Sequence, residues 1–362
     1  MKFRKMTFAV IQALFIVACA LVCFDSAMAA AGIDVHILSW LPSADTGTLM
    51  LLGTVVAPFP VDPEMTGVAI AYHNEKYIAD DILPRKPVGK QNFKYKSFPK
   101  GTFLSIPETL VGRTGKPNQV ELGYTELDSS TFDHALDDPV PVADVENAPP
   151  GYNPYLSATE FVSDLIELDR ELRVATMVFD ANNYAAGNKV TLSGTSQFSD
   201  FTNSTPIATI QAAIDACFYR PNKAVLGRAV WTKLSQHPDI VAAVNRNSGT
   251  KGIASRRAVA DLFELDDLLV GEGWYNTAKP GQTVSISRMW GKDMTLFYQN
   301  SMADTMRGVT FGITAQFGTR ISGKVEDKDM GMRGGHRTRV GESVKELILA
   351  NDLAYLIKDA VA

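Results

Sequence analysis

The sequence predicts an α+β fold in which one long amphipathic helix packs against a sheet. Apolar side chains recur with 4-3-4-3-4 spacing from Phe161 to Phe179, which places them along one face of a helix. From Val309 to Phe317, apolar and polar residues alternate, as they do in a half-buried strand. Short strand-like and helix-like segments alternate from Lys223 onward. At 362 residues and 46% hydrophobic composition, the chain is long enough for one large domain or two ordinary ones.

The N-terminal segment, residues 1–30, has the form of an export signal. Met1 to Lys5 is basic, Thr7 to Phe24 is apolar, and Ala27 to Ala29 has the small-x-small pattern of a cleavage site. The apolar run is also near the lower limit of length for a membrane-spanning helix. Two alternatives stay open: translation starts at a later methionine such as Met50, or the segment was joined to the body by a gene fusion.

Residues 31–82 are predicted to form an arm. Residues 31–63 are apolar and carry few charges but several prolines, a composition that favours an extended chain. A short helix is expected from Asn74 to Ile82. It must end before Pro84, because the residue that precedes a proline is pushed out of the helical conformation.

Lys86 to Thr125 alternates basic and aromatic side chains between glycines and prolines. This pattern predicts a long two-stranded excursion with a mobile tip. An ordinary hairpin with a solvated basic face is an alternative. Binding of single-stranded nucleic acid is another, since aromatic and basic side chains serve that purpose, but the net charge of −5 argues against it. The basic side chains are Lys86, Lys90, Lys94, Lys96, Lys100, Arg113 and Lys116.

Asp128 to Pro154 is acidic, holds five prolines and is predicted to be a linker with little regular structure. The long helix then begins at a capping box of Ser157 and Glu160 and ends near Asn182. Packing on the protein's own sheet is favoured over a short coiled coil. The predicted inner face comprises Phe161, Leu165, Leu168, Leu172, Ala175 and Phe179. The charged side chains expected to cover much of the remaining surface are Asp164, Glu167, Arg170, Glu171 and Arg173, and Asp169 can pair with Arg173.

A second helix is predicted to begin at Thr205, with Pro206 in the first helical position, where its missing N–H costs nothing. Cys217 lies on its inner face and is interpreted as a small core residue, not a nucleophile. With three cysteines in the chain, no disulfide framework is expected in the body, which is consistent with a reducing compartment.

The C-terminal half is predicted to mix short strands and helices. Lys324 to Arg339 is charged and glycine-rich and is expected to be a loop. The two segments around Asn351-Asp352, Leu347 to Ala350 and Leu353 to Ile357, are expected to form a hairpin. The other predicted strands are Lys223–Leu226, Leu268–Val270 and Met294–Tyr298, and the predicted helices are Ala229–Leu234, Pro238–Val244 and Ser255–Leu262.

No motif for catalysis is found along the chain. The five histidines are not at metal-ligand spacing, and no nucleophile elbow or phosphate-binding loop is present. Asp266-Asp267 could hold Mg²⁺ but is better interpreted as a solvated turn before a strand. The sequence therefore predicts no catalytic, cofactor-binding or metal-ligating residues and no enzyme.

Several segments together resemble the major capsid proteins of tailed bacteriophages and prophages. The resemblance spans about residues 58–362, and its segments occur in the same order and at similar spacing as in that family. None of them is a catalytic signature. The resembling segments are Val68–Tyr95, Arg220–Val244, Asp261–Thr283, Arg288–Tyr298 and Glu342–Val361.

The resemblance implies a fold and a role. Such proteins form hexamers and pentamers that close into an icosahedral shell around packaged DNA, with scaffold, portal and head-completion proteins as partners, in the host cytoplasm. The packaged DNA would be held without sequence-specific contact. The implied parts are an arm at residues 31–82, an extended loop at 83–127, a peripheral domain at 128–219 with a spine helix at 157–180, an axial domain at 220–308, and returning peripheral strands at 309–362.

The extended loop would overlap a neighbouring subunit, and its exposed charges would set register and orientation more than affinity. Two alternative hypotheses stay open. The protein is an exported envelope protein of unknown binding function, or it is a shell protein of an encapsulin-like compartment, which shares the fold. The candidate inter-subunit contact residues are Lys90, Lys94, Lys96, Arg113 and Lys116.

Overall fold

The computed structural model describes residues 59–98, 106–121, 123–245, 251–279 and 281–362, all within the compact unit Ala57–Ala362. The predictions for residues 1–58, namely the export-like segment and most of the arm, lie outside the described residues. Helices pack on two main sheets, so the predicted α+β class is confirmed. Within the described ranges, no helix is both long enough and apolar enough to cross a membrane.

The strands form two main sheets and two small ladders. The four-stranded sheet has the order β1-β11-β12-β4, and the five-stranded sheet has the order β5-β13-β10-β6-β7. Strands β2 and β3 pair with each other, as do β8 and β9. Three pairings are parallel, β1 with β11, β5 with β13 and β6 with β7, and the others are antiparallel. The strands are β1 Arg85–Val88, β2 Asn92–Ser97, β3 Thr125–Ser130, β4 Phe132–Pro141, β5 Lys189–Thr191, β6 Lys223–Gly227, β7 Asp267–Gly271, β8 Trp274–Asn276, β9 Ile286–Arg288, β10 Met294–Phe297, β11 Gly312–Asp327, β12 Gly335–Ile348 and β13 Ala354–Lys358.

One long helix and several short ones cover these sheets. The long helix, α4, packs on the four-stranded sheet over β4 and β12, as predicted. The helices are α1 Pro63–Ala71, α2 Ala79–Ile82, α3 Val142–Glu146, α4 Pro154–Val178, α5 Pro206–Ala216, α6 Arg228–Leu234, α7 Pro238–Val244 and α8 Arg256–Leu262.

The long helix begins earlier than predicted, and the face that it turns toward the protein interior differs from the predicted one. The cap is Asn153, whose side chain accepts a hydrogen bond from the Tyr155 N–H at 3.1 Å, and Pro154 occupies the first turn. The expected inner-face residue Phe161 is 57% exposed. Arg170 and Glu171, expected on the solvated face, are buried instead. The helix turns these charges inward because the sheet and the segment before β1 supply polar partners for them.

The acidic segment before the helix is not a linker, and this prediction was wrong. It contains β4, the short helix α3 and the second half of β3. Of the five prolines that suggested irregular structure, Pro139 and Pro141 lie on β4. Because β4 is the edge strand of its sheet, each proline can turn its missing N–H away from the ladder.

The charged segment from Lys324 to Arg339 is also not a loop. It contributes to β11 and β12, and only residues 328–334 lie between the two strands. Its charges pair across the sheet: Arg337 with Asp327, and Arg339 with Asp137 through two bonds of 2.7 Å. Pairing of opposite charges between neighbouring strands lets a polar sequence adopt β structure.

The predicted strand near Val309 is real, but its burial differs from the prediction. It was expected to be half buried, yet Thr310 and Thr314 on the polar side are fully buried. Arg170 of α4 donates a hydrogen bond of 3.0 Å to the Thr314 hydroxyl. At Thr314, the side of the strand that was expected to meet solvent therefore faces Arg170 of α4.

The predicted terminal hairpin does not form. Strand β12 pairs with β11 and β4, whereas β13 pairs with β10 and β5 in the other sheet. The turn at Asn351-Asp352 carries the chain from one sheet to the other. Sequence could identify both strands but not their partners, since a short turn between two strands suits either arrangement.

The helix expected from Asn74 to Ile82 is present only as the single turn α2. A longer helix, α1, precedes it, inside the region interpreted as an extended arm. The Asp62 carboxylate accepts a hydrogen bond of 3.0 Å from the Glu64 N–H, and Pro63 is the first helical residue. This cap and proline are the usual signals of a helix start.

Several local predictions are confirmed. Helix α5 begins after Thr205 with Pro206 in its first turn, and the Ser255 hydroxyl caps α8 through the Ala258 N–H at 3.3 Å. Cys217 is buried, as expected of a core residue. Strands β6, β7 and β10 lie where their apolar runs predicted.

The five-stranded sheet is covered on both faces, which explains those continuous apolar runs. One face packs against α5 to α8 through Leu226 and Leu296. The other face packs through Val225 and Phe297 against the end of α4 and Trp290. Gly271 is required beneath this tryptophan, because a Cβ atom there would lie 2.0 Å from the Trp290 Cγ.

Candidate functional site

The basic strand β2 lies opposite the acidic strand β3. Lys94 faces Asp128 across the ladder, and Lys96 faces Glu126. The Lys94 ammonium donates a hydrogen bond of 3.2 Å to the Glu126 carboxylate, which raises the pKa of Lys94 above its usual value. The basic side chains of β2 therefore face acidic side chains of β3 in the same chain.

The end of this ladder is anchored by an aromatic side chain and by the backbone. The Lys96 Nζ lies 3.7 Å from the centre of the Tyr124 ring, a cation–π contact. The Lys96 N–H donates a hydrogen bond of 2.9 Å to the Thr305 carbonyl. The β2–β3 ladder is thus tied to the segment that precedes β11.

Residues 106–121, which we name the exposed loop, are all exposed to solvent. Ile106 is 97% exposed, Leu110 85% and Val120 70%. The hydrogen bonds found in this loop are local, such as the one of 2.9 Å from the Gly115 N–H to the Gly112 carbonyl. The exposed loop therefore presents apolar side chains to solvent that the described part of the chain does not cover.

The structure places the five predicted contact residues in three locations. Lys94 and Lys96 share one face of β2, and Lys90 lies in the bend before that strand. Arg113 and Lys116 lie in the exposed loop. Within the described residues, Lys90, Arg113 and Lys116 have no ion-pair partner, so their charges are available to another molecule. A role in contacts between subunits stays a prediction for all five.

A cluster of buried and partly buried charges, which we name the arginine network, lies between the four-stranded sheet, α4 and the segment before β1. Arg85 bonds Asp80 at 3.0 Å and Glu342 at 2.7 Å. Arg170 bonds the same Asp80 at 2.7 Å, and Arg320 reaches Glu342 at 3.2 Å. The remaining members are Glu167, Arg173 and Glu346.

The arginine network lowers the pKa values of Glu342, which is buried, and of Asp80, which is partly exposed. Burial alone would raise the pKa of Glu342, but the attraction of Arg85 and Arg320 outweighs it and holds that pKa below its usual value. The pKa of Asp80 is lowered in the same way, since Arg170 and Arg85 offset the effect of burial. These charges are stable only as a set, because each would be costly to bury alone.

Glu171 joins three parts of the chain. Its carboxylate accepts hydrogen bonds from the Ile78 N–H at 3.1 Å, the Ala79 N–H at 2.8 Å and the Trp290 indole at 2.5 Å. Burial raises the pKa of Glu171, and these donors oppose that shift. The side chain fixes the start of α2 and the tryptophan against α4.

Sequence reasoning missed both features, although a signal existed. Val162, Ile166, Val174 and Val178 form an apolar row with a spacing of four residues along α4. Arg170 occupies the position between Ile166 and Val174, where the apolar row would otherwise continue. A charged residue that interrupts a regular apolar row is as compatible with a buried ion pair as with a solvated face.

Metal-ligating side chains and a cleft beside β7 are further features that bear on a chemical role. They contain no group of three or more His, Cys, Asp or Glu side chains that could hold a metal ion. A cleft of about 760 Å³ beside β7 mixes acids with Lys76, Arg256 and Arg257. In that cleft, Asp266 accepts a hydrogen bond from Asn222 and Asp267 accepts one from the Leu268 N–H.

Comparison with known proteins identifies relatives among phage structural proteins. A family model for phage major capsid protein E matches residues 166–316. The major capsid protein of Pseudomonas phage JBD67 is 51% identical over 306 residues, which cover 84% of this chain and 99% of that protein. The major capsid protein of Burkholderia phage BcepMu is 30% identical over 245 residues, covering 66% of this chain and 76% of that one.

Solved structures share the fold. A phage-related protein from Bordetella bronchiseptica superimposes with a TM-score of 0.67 at 22% identity, covering 83% of this chain and 97% of that one. A chain of the cyanophage P-SCSP1u capsid superimposes with a TM-score of 0.51 at 10% identity, covering 84% of this chain and 90% of that one. At such identities the likeness concerns the fold alone.

Proposed function

This chain belongs to the phage major capsid proteins and is a structural subunit of a capsid shell, and we propose that its copies assemble as hexamers and pentamers into a closed icosahedral particle around DNA. The observation that supports this most is the 51% identity to the JBD67 protein. That identity extends over 99% of the relative, so it concerns the whole subunit and not one shared motif.

The surface chemistry of the subunit suits such a role. A closed shell sums many modest contacts between identical copies, so no single contact has to be strong. The exposed loop presents apolar side chains that the described chain does not cover, and Arg113 and Lys116 lie in it, whereas Lys90 lies at the other end of β2. We propose that contacts between subunits are made by Lys90, Lys94, Lys96, Arg113 and Lys116.

The protein is located in the capsid of the virion, and its proposed partners are those of a capsid subunit. We propose assembly in the host cytoplasm, with scaffold, portal and head-completion proteins as partners. The acidic balance of the chain, −5, supports a shell wall that encloses DNA without sequence-specific contact. We propose a structural role without a catalytic step.

The sheets suggest how the named parts of a capsid subunit are distributed. We propose that the four-stranded sheet with α4 is the peripheral domain and that the five-stranded sheet with α5 to α8 is the axial domain. The β2–β3 ladder and the exposed loop would be the extended loop that overlaps a neighbour. On this proposal β13 belongs with the axial sheet, although β11 and β12 belong with the peripheral one.

Electron microscopy of purified protein tests the proposal. We expect closed particles of uniform diameter from a chain that begins at Met50, because the described body contains both sheets and the exposed loop. The full chain serves as the comparison and shows whether the first residues affect assembly. A chain that stays monomeric at every concentration and salt tested would contradict the proposed function.

A further inference from the structure

His237 is a buried histidine that precedes the first residue of α7. It is 1% exposed, and both of its ring nitrogens have partners. The ring Nε2 lies 3.0 Å from the Ser204 hydroxyl oxygen, and the ring Nδ1 accepts a hydrogen bond of 3.2 Å from the Asp239 N–H. The imidazole therefore joins the turn at residues 200–204, which leads into α5, to the first turn of α7.

The hydrogen bonds around His237 fix which of its nitrogens carries the proton. The Ser204 hydroxyl donates its single proton to the Asp200 carbonyl at 2.6 Å, so the ring Nε2 must donate to the Ser204 oxygen. The Asp239 N–H needs an acceptor, which Nδ1 supplies. Both constraints agree on a neutral ring with its proton on Nε2. Because the hydroxyl does not donate to the ring, the pair is not arranged as a nucleophile and its base.

Uptake of a second proton would break this arrangement. A charged imidazole donates from both nitrogens and accepts at neither, so Nδ1 and the Asp239 N–H would become two donors facing each other. The Asp239 N–H is one of the first N–H groups of α7, which have no partner inside the helix. One carboxylate oxygen of Asp239 lies 3.9 Å from Nδ1, and that side chain is 52% exposed. A charged ring that turns away from the backbone therefore has an acceptor beside it.

Burial and two acids act on the charge of His237. Burial lowers the pKa of His237, and the nearby Asp239 and Asp200 oppose that shift. The Asp200 carboxylate already accepts hydrogen bonds of 2.9 Å from the Thr202 N–H and 3.1 Å from the Asn203 N–H. At neutral pH the ring is therefore uncharged, and acid is needed to charge it.

The charged side chains on the other helices near the ring have different surroundings. Lys233 of α6 lies 5.7 Å from the centre of the Phe201 ring, and that ring meets the imidazole edge to face. The charged residue of α5, Asp215, is exposed near the end of that helix. The charged residues of α8 line the cleft beside β7, namely Arg256, Arg257 and Asp261.

We propose that His237 is an acid-released latch between the turn at residues 200–204 and α7. The neutral ring bonds Ser204 on one side and the Asp239 N–H on the other, and it holds the two segments together. When Nδ1 takes a proton from solvent, its bond to the backbone breaks and the new N–H turns to the Asp239 carboxylate. The start of α7 then opens. The latch lies within one subunit, so the inference does not depend on the proposed function.

Acid favours the open form because that form binds the proton more readily. An open, solvated ring has a pKa near the ordinary value of 6.5, whereas the pKa of the closed ring is lower. Between these two values the ratio of open to closed molecules approaches a rise of ~10-fold for each unit of pH. The carboxylates of the arginine network respond only below about pH 4.5, so the two effects are separable.

Hydrogen exchange of the unassembled full chain, measured by mass spectrometry, tests the latch. Between pH 7.5 and pH 5.5, peptides from residues 200–204 and 237–244 should lose ~5-fold to ~10-fold of their protection, relative to the unfolded chain at the same pH. Helix α8 is the internal reference, because the Ser255 hydroxyl that caps it does not titrate in this range. Unchanged protection of α7, or an equal loss in α7 and α8, would overturn the proposal.

His237→Asn removes the titration but keeps a cap. The asparagine oxygen can accept the Asp239 N–H, and its amide can donate to the Ser204 oxygen. We expect this variant to lose the extra exchange of α7 at pH 5.5. The matched control is His336→Asn, which replaces a partly exposed histidine bonded to Tyr155 and should keep the full response. A response that persists in His237→Asn, or disappears in His336→Asn, would contradict the latch.

Asp239→Asn tests the direction of the effect with the histidine in place. The backbone N–H remains, but the negative charge that favours a protonated ring is lost, so the response of α7 should move to lower pH. An NMR titration of His237 in the unmodified chain does not depend on the folding of any variant. We expect a pKa below 6.5 and a neutral ring with its proton on Nε2. A ring that titrates at or above 6.5, or a neutral ring protonated on Nδ1, would rule out the latch.

Discussion

Arg170 shows how a single charge can hold the fold together. It is 2% exposed and contacts Asp80, the Leu83 carbonyl and the Thr314 hydroxyl. Methionine at this position would keep most of the volume but leave the Asp80 carboxylate with one cation fewer. Because Asp80 is 41% exposed and keeps Arg85 as a partner, the cost is that of leaving partly buried polar groups unpaired, about 1–3 kcal/mol.

We therefore expect Arg170→Met to lower the free energy of unfolding of the unassembled subunit by that amount in a urea titration. Arg333→Met is the matched control, since Arg333 is 62% exposed and pairs with the exposed Glu146. Exposed pairs contribute about 0–1 kcal/mol. Equal losses in the two variants would contradict a structural role for the arginine network.

The same network predicts how stability depends on pH. Glu342 has a lower pKa in the folded chain than in the unfolded chain, where the value is near 4.5. The unfolded state therefore takes up the proton first, so this carboxyl stabilises the fold above about pH 4.5. That contribution is lost as the pH falls from there through the folded pKa. Asp80 follows the same direction.

Glu342→Gln should remove part of this acid sensitivity. We expect the variant to be less stable than the unmodified chain at pH 7, because Arg85 and Arg320 lose their shared carboxylate. Its free energy of unfolding should also change less between pH 6 and pH 3. Chemical unfolding of unassembled subunits at several pH values measures both effects, and an unchanged pH dependence would rule Glu342 out as the group responsible.

Among the elements, the β2–β3 ladder should be needed for assembly more than for folding. Neutralising its lysines in the triple variant Lys90→Gln, Lys94→Gln and Lys96→Gln is expected to reduce particle formation while the subunit stays folded. Both partners of the Lys94–Glu126 pair are exposed, so the pair adds little to the stability of the fold, and the backbone ladder remains. Circular dichroism and electron microscopy separate the two effects.

A control triple keeps the same change in net charge. Lys76, Lys233 and Lys251 are exposed lysines outside the ladder, and their replacement by glutamine should leave particle yield unchanged. Normal shells from the ladder triple would remove these lysines from the list of contact residues. Loss of shells in both triples would mean that net charge, and not the ladder, controls assembly.

The elements also show what a single sequence can and cannot reveal. Helix starts with a local signal, such as Thr205-Pro206 and Ser255, were predicted correctly because the cap is decided within a few residues. The burial of Arg170 and the strand character of β4 were missed, because both depend on partners far away in sequence. Asp137 joins the sheet through Arg339, and Arg170 turns inward toward Asp80.

For the whole molecule, the sequence predicted the class and the capsid family correctly but not the connections between sheets. The crossing from β12 to β13 could not be predicted, since a two-residue turn fits a hairpin equally well. The exposed loop was recognised by its composition.

Assembly of the whole molecule should depend sharply on concentration. When many weak contacts close one shell, partly built shells are unstable and complete ones are strongly favoured. We expect light scattering by purified subunits to rise only above a threshold concentration, and that threshold to shift with salt because charged contacts contribute. A gradual series of dimers and trimers that grows in proportion to concentration would contradict closure.

The position of β13 has a consequence for the order of events during synthesis. This strand lies inside the five-stranded sheet, between β5 and β10, yet it is translated after every other strand that the structure describes. Until residues 354–358 leave the ribosome, β5 and β10 have an empty place between them, and the larger core stays open. A nascent subunit therefore cannot complete its five-stranded sheet before β13 is synthesised. Association between unfinished subunits on the same polysome is delayed until then.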